Sequence, residues 1–218
     1  MEVNGRRTRR TQAERTAATR AVLIDAARAL FAEQGFANVS TQAIAAAAGV
    51  TRGALYHQFA DKTALFTAVY EDVERTVVAE VAERIAAAQP PDSLAAMRLG
   101  ARLFLEVCSA PDVQQIVLID APAALGWDAW REVGAKYGLG VIEAMLAQAV
   151  AEGAIPEQPL RSTAHVLLGA LDEAALFVSR AEDQQQARAE MDAVSARLID
   201  GIAGRPGGPV VPPEPQRR

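Results

Sequence analysis

The chain has 218 residues, half of them hydrophobic and 22% charged, with a formal net charge of −5 at neutral pH. That balance excludes an intrinsically disordered polymer, and the length is enough to bury a core in one or two domains. Aromatic residues make up only 5%, alanine dominates the long segments, and strand-favouring runs of Val, Ile, Thr and Tyr are missing, so the expected fold is all-α.

Cys108 is the single cysteine. It excludes an intramolecular disulfide and cannot make a metal site alone, which fits a reducing cytosol. The paired arginines Arg6, Arg7, Arg9 and Arg10 lead into Thr-Gln-Ala-Glu-Arg rather than an apolar run, so they do not read as an export signal. No stretch approaches the roughly 18 to 20 uninterrupted apolar residues of a membrane span. The expected location is the cytoplasm, with no membrane partner. The charge is polarised: residues 1–62 hold nine Lys/Arg against five Asp/Glu, a balance of +4, and the remainder carries −9. Such polarity fits an N-terminal part that meets a polyanion, with a solvated arginine tail as the plainer alternative.

In chain order, residues 1–16 are polar and basic without apolar periodicity and read as a flexible arm. From Thr19 to Gln34 the positions Val22, Leu23, Ala26, Ala27, Leu30 and Phe31 recur at three-and-four spacing, and Gly35 supplies a C-terminal stop. Ser40 or Thr41 caps a second, two-turn helix that buries Ile44, Ala45 and Ala48. Ala45, Gly49 four residues later and Leu55 six beyond place a small residue at a helix crossing, a glycine in the turn and an apolar anchor on the next helix. That spacing is what a helix-turn-helix requires, although two unrelated short helices joined by a glycine turn could share it. The third helix, Thr51–Phe59, buries Leu55 and Phe59 and turns Arg52, Gly53, Tyr56 and His57 outward. Asp61 caps a fourth helix to about Ala88, roughly 40 Å long.

A second lobe follows Gln89-Pro90-Pro91. Its expected helices run from Ser93 to about Ser109, from Asp112 to about Ala121 with an interruption near Pro122, from Trp127 to Glu152, from Leu160 to Ala181 and from Gln185 to Ile202. The helix from Leu160 is apolar on two faces, which calls for cover on both sides and points to a partner subunit. Gly204 to Arg218 contains five prolines and three glycines and reads as a disordered tail.

The segment Thr41-Gln42-Ala43-Ile44-Ala45-Ala46-Ala47-Ala48-Gly49-Val50-Thr51-Arg52-Gly53-Ala54-Leu55-Tyr56-His57-Gln58-Phe59, continued by Asp61-Lys62, Leu65 and Phe66 and preceded in register by Phe31, Gly35 and Phe36, resembles the DNA-binding domain of the TetR family of bacterial transcriptional regulators. The resemblance covers about 50 residues; beyond them it is only one of length and helical content. It implies a three-helix helix-turn-helix head at residues 17–62 and a helical ligand-binding and dimerisation domain at 63–203, about nine helices in total. It further implies a homodimer through the last two helices, about 160–203, binding a palindromic double-stranded operator and released from it by a small-molecule effector.

A helix fits the major groove, and its N-terminal residues reach the base edges. Thr51, Arg52 and Gly53 occupy that start. Arg52 has the two donors that guanine O6 and N7 accept, or else it is solvated or bound to phosphate; Gly53 lets the backbone approach. The family places a phosphate-contacting tyrosine at Tyr56. His57 could reach a base or phosphate or have no role. Lys62 and Thr41, at helix starts, are expected to hold phosphates.

For the effector, the candidate lining is Phe104, Cys108, Trp127, Trp130, Tyr137, His165 and Asp172, although an aromatic stripe at helical spacing also describes a core. His165 and Asp172, two turns apart, are the polar pair, open to a mutual contact or a dimer seam as well as a ligand. No cofactor or metal is expected. Neither a Walker loop nor a full Gly-x-Gly-x-x-Gly is present, since Gly138-Leu139-Gly140 lacks the third glycine. An α-helical enzyme and a non-specific DNA-packaging protein are therefore the weaker alternatives.

Overall fold

The structure is a computed structural model that describes residues Gln12–Gly204. Most of the basic arm and nearly all of the Pro/Gly-rich tail lie outside the described residues. Those described form an all-helical fold: α1 Gln12–Gln34, α2 Thr41–Ala47, α3 Arg52–Gln58, α4 Lys62–Ala88, α5 Ser93–Cys108, α6 Pro111–Val113, a π-helical segment Gln114–Asp120, α7 Ala121–Leu125, α8 Trp127–Ala151, α9 Leu160–Arg180 and α10 Gln184–Ala203. With the run 111–125 counted as one, these are nine helices.

Two compact units arise. The first comprises residues up to Val77 together with Cys108–Gly134, and the second Val78–Val107 with the chain from Ala135. By packing, the stretch 108–134 goes with the N-terminal helices.

In the first unit, α1 buries Leu23, Ala27 and Phe31, each with no exposed surface, at strict four-residue spacing. It begins at Gln12 rather than Thr19. Its first turns have helix-favouring composition without an apolar stripe, and the Thr16 and Thr19 hydroxyls donate to the carbonyls of Gln12 and Arg15 at 3.0 and 2.9 Å. Phe31, Phe36 and Phe66 cluster with ring centroids 4.8–5.7 Å apart, each such pair contributing about 0.5–1.5 kcal/mol beyond burial. The Ser40 hydroxyl caps α2 by accepting from the Ala43 amide at 3.1 Å. Gly49, at φ +67°, ends α2, with the Val50 and Gly49 amides donating back to the carbonyls of Ala45 and Ala46. This pair of bonds is the Schellman arrangement, which needs a left-handed residue.

The run 111–125 departs from the expected interruption at Pro122. The preceding Gln114–Asp120 stretch widens to a π-helix, and the proline, which lacks an N–H and crowds the carbonyl four residues back, stands at the start of the α7 segment instead of breaking the run.

In the second unit, parts of α5 and α8 pack with α9 and α10 around Met97, Leu139, Leu146, Ala164, Leu167 and Ile199. Gly138 permits a close approach, since a Cβ there would lie 3.2 Å from Leu168 Cδ1. The Ser93 amide and hydroxyl both donate to the Glu152 carboxylate, and these bonds, the hydroxyl first, hold its pKa below the ordinary value. Arg98 pairs with Asp200 and Arg84 with Glu106.

Nothing lies within 4 Å of a Cβ built at Gly49, so substitution there tests backbone strain alone. Gly49→Ala is expected to cost about 1 kcal/mol, read as a fall in Tm of roughly 2–4 °C, with the helical circular dichroism of the folded protein unchanged.

Candidate nucleic-acid interface

The turn after α2 aims α3 by packing its inner face. Leu55 is fully buried and Phe59 4% exposed, so the opposite face is left to solvent. Thr51 is the N-cap of α3, its hydroxyl accepting from the Ala54 amide at 3.1 Å; the O–H can still donate outward. Thr51, Arg52, Gly53, Tyr56 and His57 are all exposed. A Cβ at Gly53 would meet only Thr51 Oγ1 at 3.8 Å, an ordinary contact, so packing within the chain does not demand glycine there.

Thr41, at the start of α2, and Tyr56 share a 3.2 Å hydrogen bond between their hydroxyls. The Arg52 guanidinium lies 5.9 Å from the Tyr56 ring centroid. The Thr41 hydrogen bond first, and Arg52 second, hold the Tyr56 phenol below its ordinary pKa. Thr41, Arg52 and Tyr56 thus form one connected polar surface from two helices.

Lys62, at the start of α4, is held within the protein. Its ammonium donates to the carbonyls of Phe36 at 2.8 Å and Val39 at 3.0 Å and sits 4.2 Å from the Phe36 ring centroid. These acceptors take up two of its three N–H donors inside the protein and tie the 36–39 turn to α4. At the other end of α3, Arg20 donates to the Gln58 carbonyl at 3.4 Å and covers the Phe59 ring at 4.3 Å. A cation there complements the negative end of the helix. Its Gln58 partner lies 38 residues away, beyond the reach of local spacing.

The effector candidates divide between the two units. Cys108 and Trp130 are each 3% exposed in the first, beside Trp127 at 56%. Phe104, Tyr137 and Asp172 are half-buried and His165 is exposed, all in the second. The rings of Trp127 and Trp130 pack at 4.8 Å. Among the described residues, no helix is long and apolar enough to cross a membrane.

Loss of a phosphate contact and loss of an internal brace are separable at Lys62. Lys62→Met is expected to destabilise the protein by about 1–3 kcal/mol. The slope of log affinity against log salt for DNA binding should stay unchanged. A slope reduced by about one unit with unaltered Tm would assign the residue to phosphate.

The chain matches known proteins along both parts. Residues 23–69 match the description "Bacterial regulatory proteins, tetR family" and residues 94–202 match "Tetracyclin repressor-like, C-terminal domain". A TetR-family transcriptional regulator from Pectobacterium atrosepticum is 33% identical, with 91% of this chain and all of that one aligned at a TM-score of 0.75. RolR in its complex with the ligand resorcinol, at 22% identity and a TM-score of 0.67, shares the fold over 92% of this chain and all of its own. The transcriptional regulator CymR of Pseudomonas putida is 34% identical over 119 residues, which are 54% of this chain and 59% of that relative's length. With its helix-turn-helix head, its all-helical fold and matches at both ends, this chain belongs to the TetR family of bacterial regulatory proteins and is a DNA-binding transcriptional regulator, not an enzyme.

Proposed function

We propose that the protein is a cytoplasmic homodimeric repressor that reads a palindromic operator with the first turn of α3 and leaves it when a small molecule binds. The observation that carries the reading is the outward face of α3: Arg52, Gly53 and Tyr56 are exposed while Leu55 behind them is fully buried. Arg52 supplies a bidentate donor for a guanine, worth about 1–3 kcal/mol of base discrimination. Tyr56 and Thr41, joined by their hydrogen bond, hold phosphates and fix the register without reading bases. Thr51 and His57 flank them as further contacts. Lys62 contributes mainly by shaping the 36–39 turn.

Gly53 supports the same reading from energetics. A glycine inside a helix costs about 1 kcal/mol relative to alanine, and among the described residues only Thr51 Oγ1, at an ordinary 3.8 Å, lies near its missing Cβ. An approaching duplex accounts for it.

One short helix reads few base pairs, so useful affinity calls for two heads on half-sites about one helical turn, or a multiple of it, apart. The second copy would cover α9 and α10, where Val166 is 72% exposed, Phe177 47%, Val194 40% and Leu198 49%. Val166 and Phe177, with Ala170 and Glu173 between them, follow one helical stripe on α9, and Val194 and Leu198 follow another on α10. Exposed apolar side chains at that density are characteristic of an interface. The effector is a small organic molecule, of the kind that the ligand resorcinol is in the RolR complex, acting through the candidates Phe104, Cys108, Trp127, Trp130, Tyr137, His165 and Asp172.

Selection of bound duplexes from a random pool is expected to yield a two-fold symmetric site, and an asymmetric or featureless pool would overturn the reading. On that site Arg52→Ala should relax preference at one position per half-site, whereas Gly53→Ala should raise Tm yet weaken binding. A double substitution, Val166→Asp with Phe177→Asp, is expected to give a folded monomer by light scattering that no longer retains the full palindrome at moderate salt.

A further inference from the structure

The indole Nε1 of Trp130 is a buried donor that meets no acceptor among the described residues, in a side chain only 3% exposed. Buried N–H groups are almost always satisfied, and leaving one without an acceptor is destabilising; phenylalanine would fill an apolar site without that burden. The backbone beside it is satisfied, since the Trp130 carbonyl accepts the Tyr70 hydroxyl at 3.0 Å. The ring packs at 4.8 Å against that of Trp127, which is 56% exposed. Trp127 opens α8 directly after Gly126, whose φ of +84° separates α7 from α8. An inner indole with an unused donor therefore adjoins an outer indole that borders solvent.

We propose that the Trp130 N–H is the polar contact of a ligand site, taking a neutral aromatic compound with one acceptor oxygen, such as an aryl ketone, that enters past Trp127 and stacks on it. The chemistry follows from the groups present. A neutral N–H donor demands an acceptor, and two indoles form aromatic walls. The Trp130 N–H and the two rings carry no formal charge to offset the desolvation of an anion. The inference deepens the effector reading above and rests on it for the consequence at the operator, though not for binding itself.

The test uses the full-length protein labelled with ¹⁵N. Its two tryptophans give two indole resonances, assigned with Trp127→Phe and Trp130→Phe. Acetophenone is expected to move the Trp130 indole proton downfield in a saturable way, whereas toluene, with the same ring and no acceptor, should leave it in place. Acetophenone should bind Trp130→Phe about three- to tenfold more weakly, toluene should not distinguish the two proteins, and benzoate should bind wild type less well than acetophenone does. Unliganded Trp130→Phe loses ring volume, so a lower Tm is expected from the cavity alone and does not bear on the site. Equal acetophenone affinity for both proteins, or no saturable shift up to the solubility limit of acetophenone, would overturn the site. If acetophenone binds as expected yet leaves the selected operator bound, the site stands and the release mechanism falls. Operator release equal in wild type and Trp130→Phe leaves the release mechanism standing and removes the site.

Discussion

The first unit turns on the backbone of Phe36. Gly35, at φ +76°, ends α1 and redirects the chain, so the two polar groups of the next residue point to different elements. The Phe36 amide donates to the Asp120 carboxylate at 2.7 Å, and its carbonyl accepts from Lys62 at 2.8 Å. Its ring meanwhile lies against Phe31 and Phe66. One residue thereby ties the end of α1, the start of α4 and the π-helical segment together. Bonds to charged groups contribute about 1.5–3 kcal/mol each, and removing one partner leaves the other half-buried and unmet.

That arrangement has a functional consequence. The segment 108–134 lies, by sequence, inside the C-terminal family domain at 94–202, yet it packs as part of the unit that carries α3. Asp112 bonds Arg28 at 3.1 Å and Asp120 bonds Phe36. Any ligand that rearranges this segment acts within the same packed body as the reading helix. A population shift needs only a difference in ligand affinity between two arrangements of that body, and no separate relay has to be supposed. Trp130, with its unused donor, belongs to the same segment.

The second unit answers a different constraint. Its core is built from small and aliphatic residues, with Gly138 letting a leucine of α9 approach closely. Four large apolar side chains, Val166 and Phe177 on α9 and Val194 and Leu198 on α10, stay exposed after that core is filled. Apolar residues in excess of one core are the physical mark of a surface meant for another. The reading surface proposed on α3 and the pairing surface proposed on α9 and α10 lie on different helices, so changes in the one need not disturb the other.

The sequence by itself determined the helical class, the Ala45-Gly49-Leu55 turn and the outward set Thr51, Arg52, Gly53, Tyr56 and His57, because each follows from local spacing along one or two helices. It also read α9 as apolar on two faces, yet which of its apolar residues stay exposed, Val166 and Phe177, was decided by packing. Only tertiary structure decided the use of Lys62, whose acceptors lie 23 and 26 residues back, and of Arg20, whose partners lie 38 residues ahead. The same holds for the run 111–125 joining the head, and for the division of the aromatic candidates into a buried Trp130 and an exposed Trp127. Periodicity records which face of a helix is apolar; which carbonyl, carboxylate or ring meets that face depends on long-range packing, to which local spacing is blind.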